Sequence, residues 1–206
     1  MSASVSYNIV VFGEPGVGKT CFADQFCYGR SFVFYNPGND DRQHPIFVEE
    51  RTTDLTLMDL STSFLKPEQS MHSPEWAETI LADADGVVLL YDVTSSQSFD
   101  FITNQAYRYL WGCRRFNDGR REGAEGGERD SFGCVLVGNK ADLIIEDQAS
   151  RAVPLNLAND WALTQGIRSI EVDSLARNGP ESALRLLVKN IWKLEKLGVK
   201  VVEGKK

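Results

Sequence analysis

Along the chain, short unbroken apolar runs alternate with stretches in which apolar residues recur every three or four positions. Ile9-Val10-Val11-Phe12 and Val87-Val88-Leu89-Leu90-Tyr91 carry no polar alternation, the pattern of strands covered on both faces. Residues 8–12, 54–60, 86–92, 134–138 and 168–172 are predicted strands, and 46–49 a further one that Pro45 assigns to a sheet edge. The helical period predicts helices over 19–28, 99–116, 157–165 and 180–197, and another opened by Ser73 as N-cap with Pro74 at its first position. In that helix Trp76, Ile80 and Leu81 share a face; in the last, Leu184, Leu187, Val188 and Ile191 do. Gly166 and Gly198 read as helix stops. Strands alternating with helices predict an α/β fold, a mostly parallel sheet with helices on both faces.

The chain has 206 residues, of which 42% are hydrophobic, enough for one core, so residues 1–206 read as a single domain. One segment interrupts the rhythm: residues 117–133, NDGRREGAEGGERDSFG, hold almost nothing apolar and predict a mobile surface insertion. A formal charge of -7 (22 Lys and Arg against 29 Asp and Glu) argues against nucleic acid or an anionic lipid surface as a default partner. Cys21, Cys27, Cys113 and Cys134 show no metal-ligand spacing, so four buried, reduced thiols of a cytoplasmic protein are expected.

Candidate chemistry starts directly after the first predicted strand. Gly13-Glu14-Pro15-Gly16-Val17-Gly18-Lys19-Thr20 fits G-x-x-x-x-G-K-[ST] and runs into a helix beginning with Cys21 in its first turn. The backbone N–H groups of such a loop converge on phosphate, Lys19 supplies a point charge to the terminal phosphates, and the Thr20 hydroxyl suits Mg²⁺. A second motif, Gly138-Asn139-Lys140-Ala141-Asp142-Leu143, follows the predicted strand 134–138. A carboxylate at Asp142 accepts from both N1–H and the exocyclic amine of guanine, whereas adenine offers no N1 donor. Asn139 and Lys140 would brace the loop and cover the base.

With these two motifs in this order, the sequence resembles the Ras-like small GTPases over nearly its whole length. GEPGVGKT is similar to the family's phosphate loop, ADGVVLLYDVTSSQSF to its central strand and the start of the next helix, and GNKADL to its guanine motif. EVDSLARNG resembles the third base-binding loop, which assigns Ser174 and Leu175 there. The resemblance implies a P-loop NTPase fold with a mixed six-stranded sheet and five helices. It also implies GTP or GDP as ligand with Mg²⁺ bound by Thr20 and, through water, Asp59, and signalling by GTP hydrolysis. Partner proteins are expected through residues 32–44 and 61–79, and a monomer is expected.

Departures from the family pattern fall on both switches. Tyr35-Asn36-Pro37-Gly38 stands where the family has Y-D-P-T, so Gly38 replaces the threonine that ligates Mg²⁺ with GTP bound. Thr52 and Thr53 are the next threonines, at a predicted strand start. Asp59-Leu60-Ser61-Thr62-Ser63 stands for D-T-A-G-Q: Asp59 keeps the metal's carboxylate, Thr62 replaces a hinge glycine, and Ser63 replaces the water-orienting glutamine. Serine is too short to orient water as that glutamine does, so hydrolysis is expected to be slow. Pro15 replaces the glycine beside the γ-phosphate. Alignment leaves two readings for the base-stacking aromatic: Ser31 takes its place, and the adjacent Phe32 is either the stacking ring or a core residue. Residues 62–79 are longer than the family's second switch, with Lys66, Pro67, Met71 and Trp76, and Met71 and Trp76 are expected in the core.

The chain ends at Lys206 without the C-terminal cysteine that many family members prenylate, so membrane attachment is expected only through a lipidation site outside this sequence. Two readings follow. One is a GTP-hydrolysing switch with a low intrinsic rate, in which Lys19 and Ser63 are the candidate catalytic residues. The other is an interaction module that binds nucleotide without significant hydrolysis. A P-loop nucleotide kinase would share the phosphate loop but has no use for Asn139, Lys140 and Asp142 in this arrangement.

Overall fold

A computed structural model describes residues 5–29, 42–65, 74–117, 132–176 and 178–197. The expectations placed on Phe32, on residues 35–38, 66–73 and 118–131, and on the tail after 197 lie outside the described residues.

The apolar runs form a six-stranded sheet: β1 (Ser6–Gly13), β2 (Gln43–Val48), β3 (Arg51–Ser61), β4 (Gly86–Asp92), β5 (Gly133–Asn139) and β6 (Arg168–Glu171), in the order β2-β3-β1-β4-β5-β6. All pairings are parallel except β2 with β3, where Pro45 lies opposite Asp54 on the edge strand. β2 alternates exposed Gln43, Pro45 and Phe47 with buried Ile46 and Val48, the mark of a strand with one covered face. The two-residue turn Glu49–Glu50 has φ of 46° and 65°, the left-handed pair that a tight hairpin requires.

Helices cover both faces. α1 (Lys19–Tyr28) and α7 (Gly179–Lys196) pack on one, joining Phe22, Ala23, Leu184, Leu187, Val188 and Ile191 to Ile9, Val11, Val88 and Val135. On the other, α2 (Pro74–Asp83), α3 (Ser96–Phe101), α4 (Tyr107–Asn117) and α6 (Leu155–Gln165) bring Leu81, Phe99, Leu110 and Ala158 against Val10, Phe12, Leu89 and Leu136. Period 2 in the strands sends alternate residues to opposite layers. A short α5 (Ala141–Ile145) completes the described helices.

Several sequence expectations need correction. The helix expected over 99–116 starts earlier, because the Ser95 hydroxyl accepts from the Ser98 N–H and caps it. It is also interrupted: residues 102–106 form a π-turn between α3 and α4, with the Thr103 hydroxyl donating to the Phe99 carbonyl at 2.7 Å. Of the residues assigned to the expected insertion, Asn117 belongs to α4, Gly133 to β5, and Phe132 packs its ring against Trp111. In α2, Ala77 and Leu81 are buried while Trp76 is 49% exposed, so Trp76 is no core residue.

The strand order reverses at β1, which has β3 on one side and β4 on the other. In open α/β sheets the ligand crevice lies beyond the carboxyl ends of strands at such a point. There β1 ends at Gly13, β3 at Ser61, β4 at Asp92 and β5 at Asn139.

Candidate functional site

The loop from β1 to α1 turns through two left-handed glycines, Gly16 at φ 82° and Gly18 at φ 100°. A side chain at Gly18 would also run into the Asn139 carboxamide. The first turn of α1 has neither a side-chain cap nor an acidic residue, so its N–H groups present a positive end to an anion. Lys19 is buried and donates from Nζ to the Glu14 carbonyl at 2.7 Å. Burial pushes its pKa below the ordinary lysine value, against the opposing pull of Asp59 and Glu14. Pro15, Gly16 and Thr20 are exposed, while Val17 is buried against the sheet.

The carboxyl end of β3 brings Asp59 to this loop, where its Oδ2 accepts the Thr20 hydroxyl at 2.6 Å. Thr20 and Asp59 offer hard oxygens of the type Mg²⁺ takes, and Mg²⁺ fills its remaining positions with water and phosphate. Among the described residues no group of three or more His, Cys, Asp or Glu could hold a metal by itself. Just beyond, residues Thr62–Leu65 form a single 3₁₀ turn. The Ser63 and Ser61 hydroxyls lie 2.6 Å apart, and the Ser63 N–H donates to Ser61 Oγ. Thr62 is fully buried, and its hydroxyl has no hydrogen-bond partner among the described residues.

Asn139 ties the loops together. Its Nδ2 donates to the Val17 carbonyl at 2.8 Å, and its Oδ1 accepts from the Ser174 hydroxyl at 2.7 Å and N–H at 3.1 Å. Lys140 follows with φ 66°, an uncommon left-handed conformation for a side-chain-bearing residue, and opens α5. Its Nζ sits 2.6 Å from Asp92 Oδ2. Burial alone would raise the Asp92 pKa, but hydrogen bonds from Lys140 and Thr94 outweigh it and hold the carboxyl below the usual range. Asp142 stands half-buried in the first turn of α5, Ser174 is buried, and Leu175 is 56% exposed with its N–H donating to Asp173.

The phosphate-loop residues Gly13–Thr20, Asp59, and the Asn139, Lys140 and Ser174 group therefore converge at one end of the sheet. Cys21 is half-exposed rather than buried, while Cys27, Cys113 and Cys134 are buried. Burial, then Asp24, raises the Cys21 pKa. Thr53, on β3, donates its hydroxyl to the Val5 carbonyl just ahead of β1 and is spent there. Sequence reasoning missed Asp92, which ends β4 in register with Asn139 and gains its role only when Lys140 is folded over it. It also missed Arg42, buried against Asp24 and Asp59; nothing in the polar stretch around it marks it.

No helix among the described residues is long and apolar enough to cross a membrane. The model of the Ras family matches residues 8–193. The chain is also 29% identical over 198 residues to Protein ras-1 of Neurospora crassa, covering 95% of this chain and 81% of that protein.

Proposed function

The chain belongs to the Ras family, a family of small GTP-binding signalling proteins that are generally GTPases, and from that premise we propose that it holds GTP or GDP at the loops converging on Asn139 and hydrolyses GTP slowly. The observation that carries this reading is the Asn139 carboxamide, which joins the phosphate loop at Val17 to the loop bearing Ser174. Backbone N–H groups over Gly13, Glu14, Gly16, Val17, Gly18, Lys19, Thr20 and Cys21 receive the phosphates, with Pro15 contributing shape but no donor. Lys19 exchanges the Glu14 carbonyl for phosphate oxygen. Asp142 accepts from guanine, Lys140 and Leu175 flank the base, and Ser174 holds Asn139 in place.

Thr20 and Asp59 are the residues that would hold Mg²⁺, which supplies charge neutralisation for phosphoryl transfer. Catalysis beyond that is weak in this reading, because Ser63 has a short side chain turned toward Ser61 and Gly38 has no hydroxyl to offer. Effectors or regulators engage residues 32–44 and 61–79, where Phe47 on the neighbouring edge strand and Trp76 on α2 add exposed apolar surface.

One observation favours a second reading, a nucleotide-bound interaction module. Thr62 is packed with no exposure where a hinge glycine would let the segment move. Hydrogen exchange over residues 61–65 and 74–83, compared between GDP-loaded and GTP-loaded protein, separates the two. A switch gives different protection in the two forms; identical protection assigns the chain to the module reading.

A further inference from the structure

Arg42 immediately precedes β2, and its carbonyl accepts the Leu57 N–H at 2.9 Å, which fixes its backbone beside the strand that carries Asp59. Its side chain is almost wholly buried. Nε lies 3.4 Å from Asp24 Oδ1, and Nη1 lies 3.4 Å from Asp59 Oδ2, the oxygen that also accepts the Thr20 hydroxyl. Thr20 and Asp24 sit four residues apart on α1 and so share the face turned to this cluster.

A guanidinium buried between two carboxylates contributes little net stability, because its desolvation offsets most of the attraction. What it does change is the charge a divalent cation meets. Asp24 and Asp59 alone present two negative charges; with Arg42 between them the cluster carries one. The guanidinium also repels a second cation brought to Asp59 Oδ2.

We propose that Arg42 is the fixed counter-ion of Asp59 and that it sets a weak dependence of nucleotide retention on Mg²⁺. The inference rests on the reading of Thr20 and Asp59 as the metal corner of a nucleotide site. Arg42 is a positioning residue: it acts through Asp59 and is not assigned a contact with nucleotide.

The test follows release of a fluorescent GDP analogue across free Mg²⁺ concentrations, from chelator to excess. In the unaltered protein, stripping Mg²⁺ accelerates release by less than about tenfold. A far greater acceleration overturns the proposal without any variant. The control Arg42→Lys keeps the charge and the parent's half-point; the companion protein carries Arg42→Gln, which takes the cluster from one net negative charge to two, and a melting curve establishes its fold. Its Mg²⁺ half-point falls by about tenfold or more, and chelator now releases nucleotide faster than in the parent. Equal half-points with nucleotide still bound overturn the role of Arg42 and leave the site reading standing. Failure of the unaltered protein to bind the analogue at any Mg²⁺ concentration overturns both.

Discussion

Asn139 donates from Nδ2 to the Val17 carbonyl at 2.8 Å, joining β5 to the phosphate loop across 122 positions of sequence. Its other side-chain atom serves Ser174, so one buried amide satisfies groups on two separate loops. Asn139→Ala leaves the Val17 carbonyl and the Ser174 donors buried without this partner, at a cost of about 2–4 kcal/mol. Urea unfolding of the nucleotide-free protein measures it. A loss below about 0.5 kcal/mol would show that the loops are held elsewhere.

In the proposed site, Asp142 carries the choice of base. Asp142→Asn replaces a carboxylate that accepts from two guanine donors with an amide that accepts one and repels the other. Guanine nucleotide affinity falls tenfold or more, by ~1.5–3 kcal/mol. Calorimetry with GTP reads this directly, and equal affinities in parent and variant remove Asp142 from the site.

The Lys140–Asp92 pair makes stability depend on pH. The Asp92 carboxyl is held below its ordinary value, so the pair's contribution is present above the unfolded carboxylate range near about pH 4 and is lost as pH falls through the lower native value. Lys140→Met is therefore less stable than the parent at neutral pH, and the gap narrows as the solution is acidified and Asp92 protonates. Denaturation midpoints of the nucleotide-free proteins between pH 7 and pH 3 supply the check. A gap constant across that range contradicts the assignment.

The hairpin between β2 and β3 stores strain. Glu49 and Glu50 both adopt left-handed backbone, which costs a residue with a Cβ about 1 kcal/mol. Glu50→Gly relieves this at a position whose side chain is exposed, and it raises stability by about 0.5–1 kcal/mol. Glu49, which meets Lys189 on α7, is left alone. A lower thermal midpoint in the variant would count against the strain.

What the sequence made legible was local. The strands announced themselves as apolar runs, and the phosphate and guanine motifs each lie within eight consecutive residues whose spacing states their chemistry. What stayed hidden depends on contacts between distant segments. Arg42 gains its meaning only when β2 is laid against β3 and α1, and Asp92 only when Lys140 is folded over it. The α5 helix has no buried residue and so no apolar period to read. The π-turn at 102–106 leaves the apolar spacing of its helix nearly intact, which is why one continuous helix is the natural reading. Trp76 shows the converse failure: helical spacing placed it with Leu81, but its side chain faces outward.

The central claim is a guanine-nucleotide site that retains its ligand and hydrolyses it slowly. Loading the purified protein with GTP and Mg²⁺, removing free nucleotide and following the bound nucleotide by chromatography over hours tests it most directly. The account predicts that guanine nucleotide stays bound and converts gradually to GDP, and that Ser63→Gln quickens the conversion. Protein that retains no guanine nucleotide, or retains ATP equally well, contradicts it.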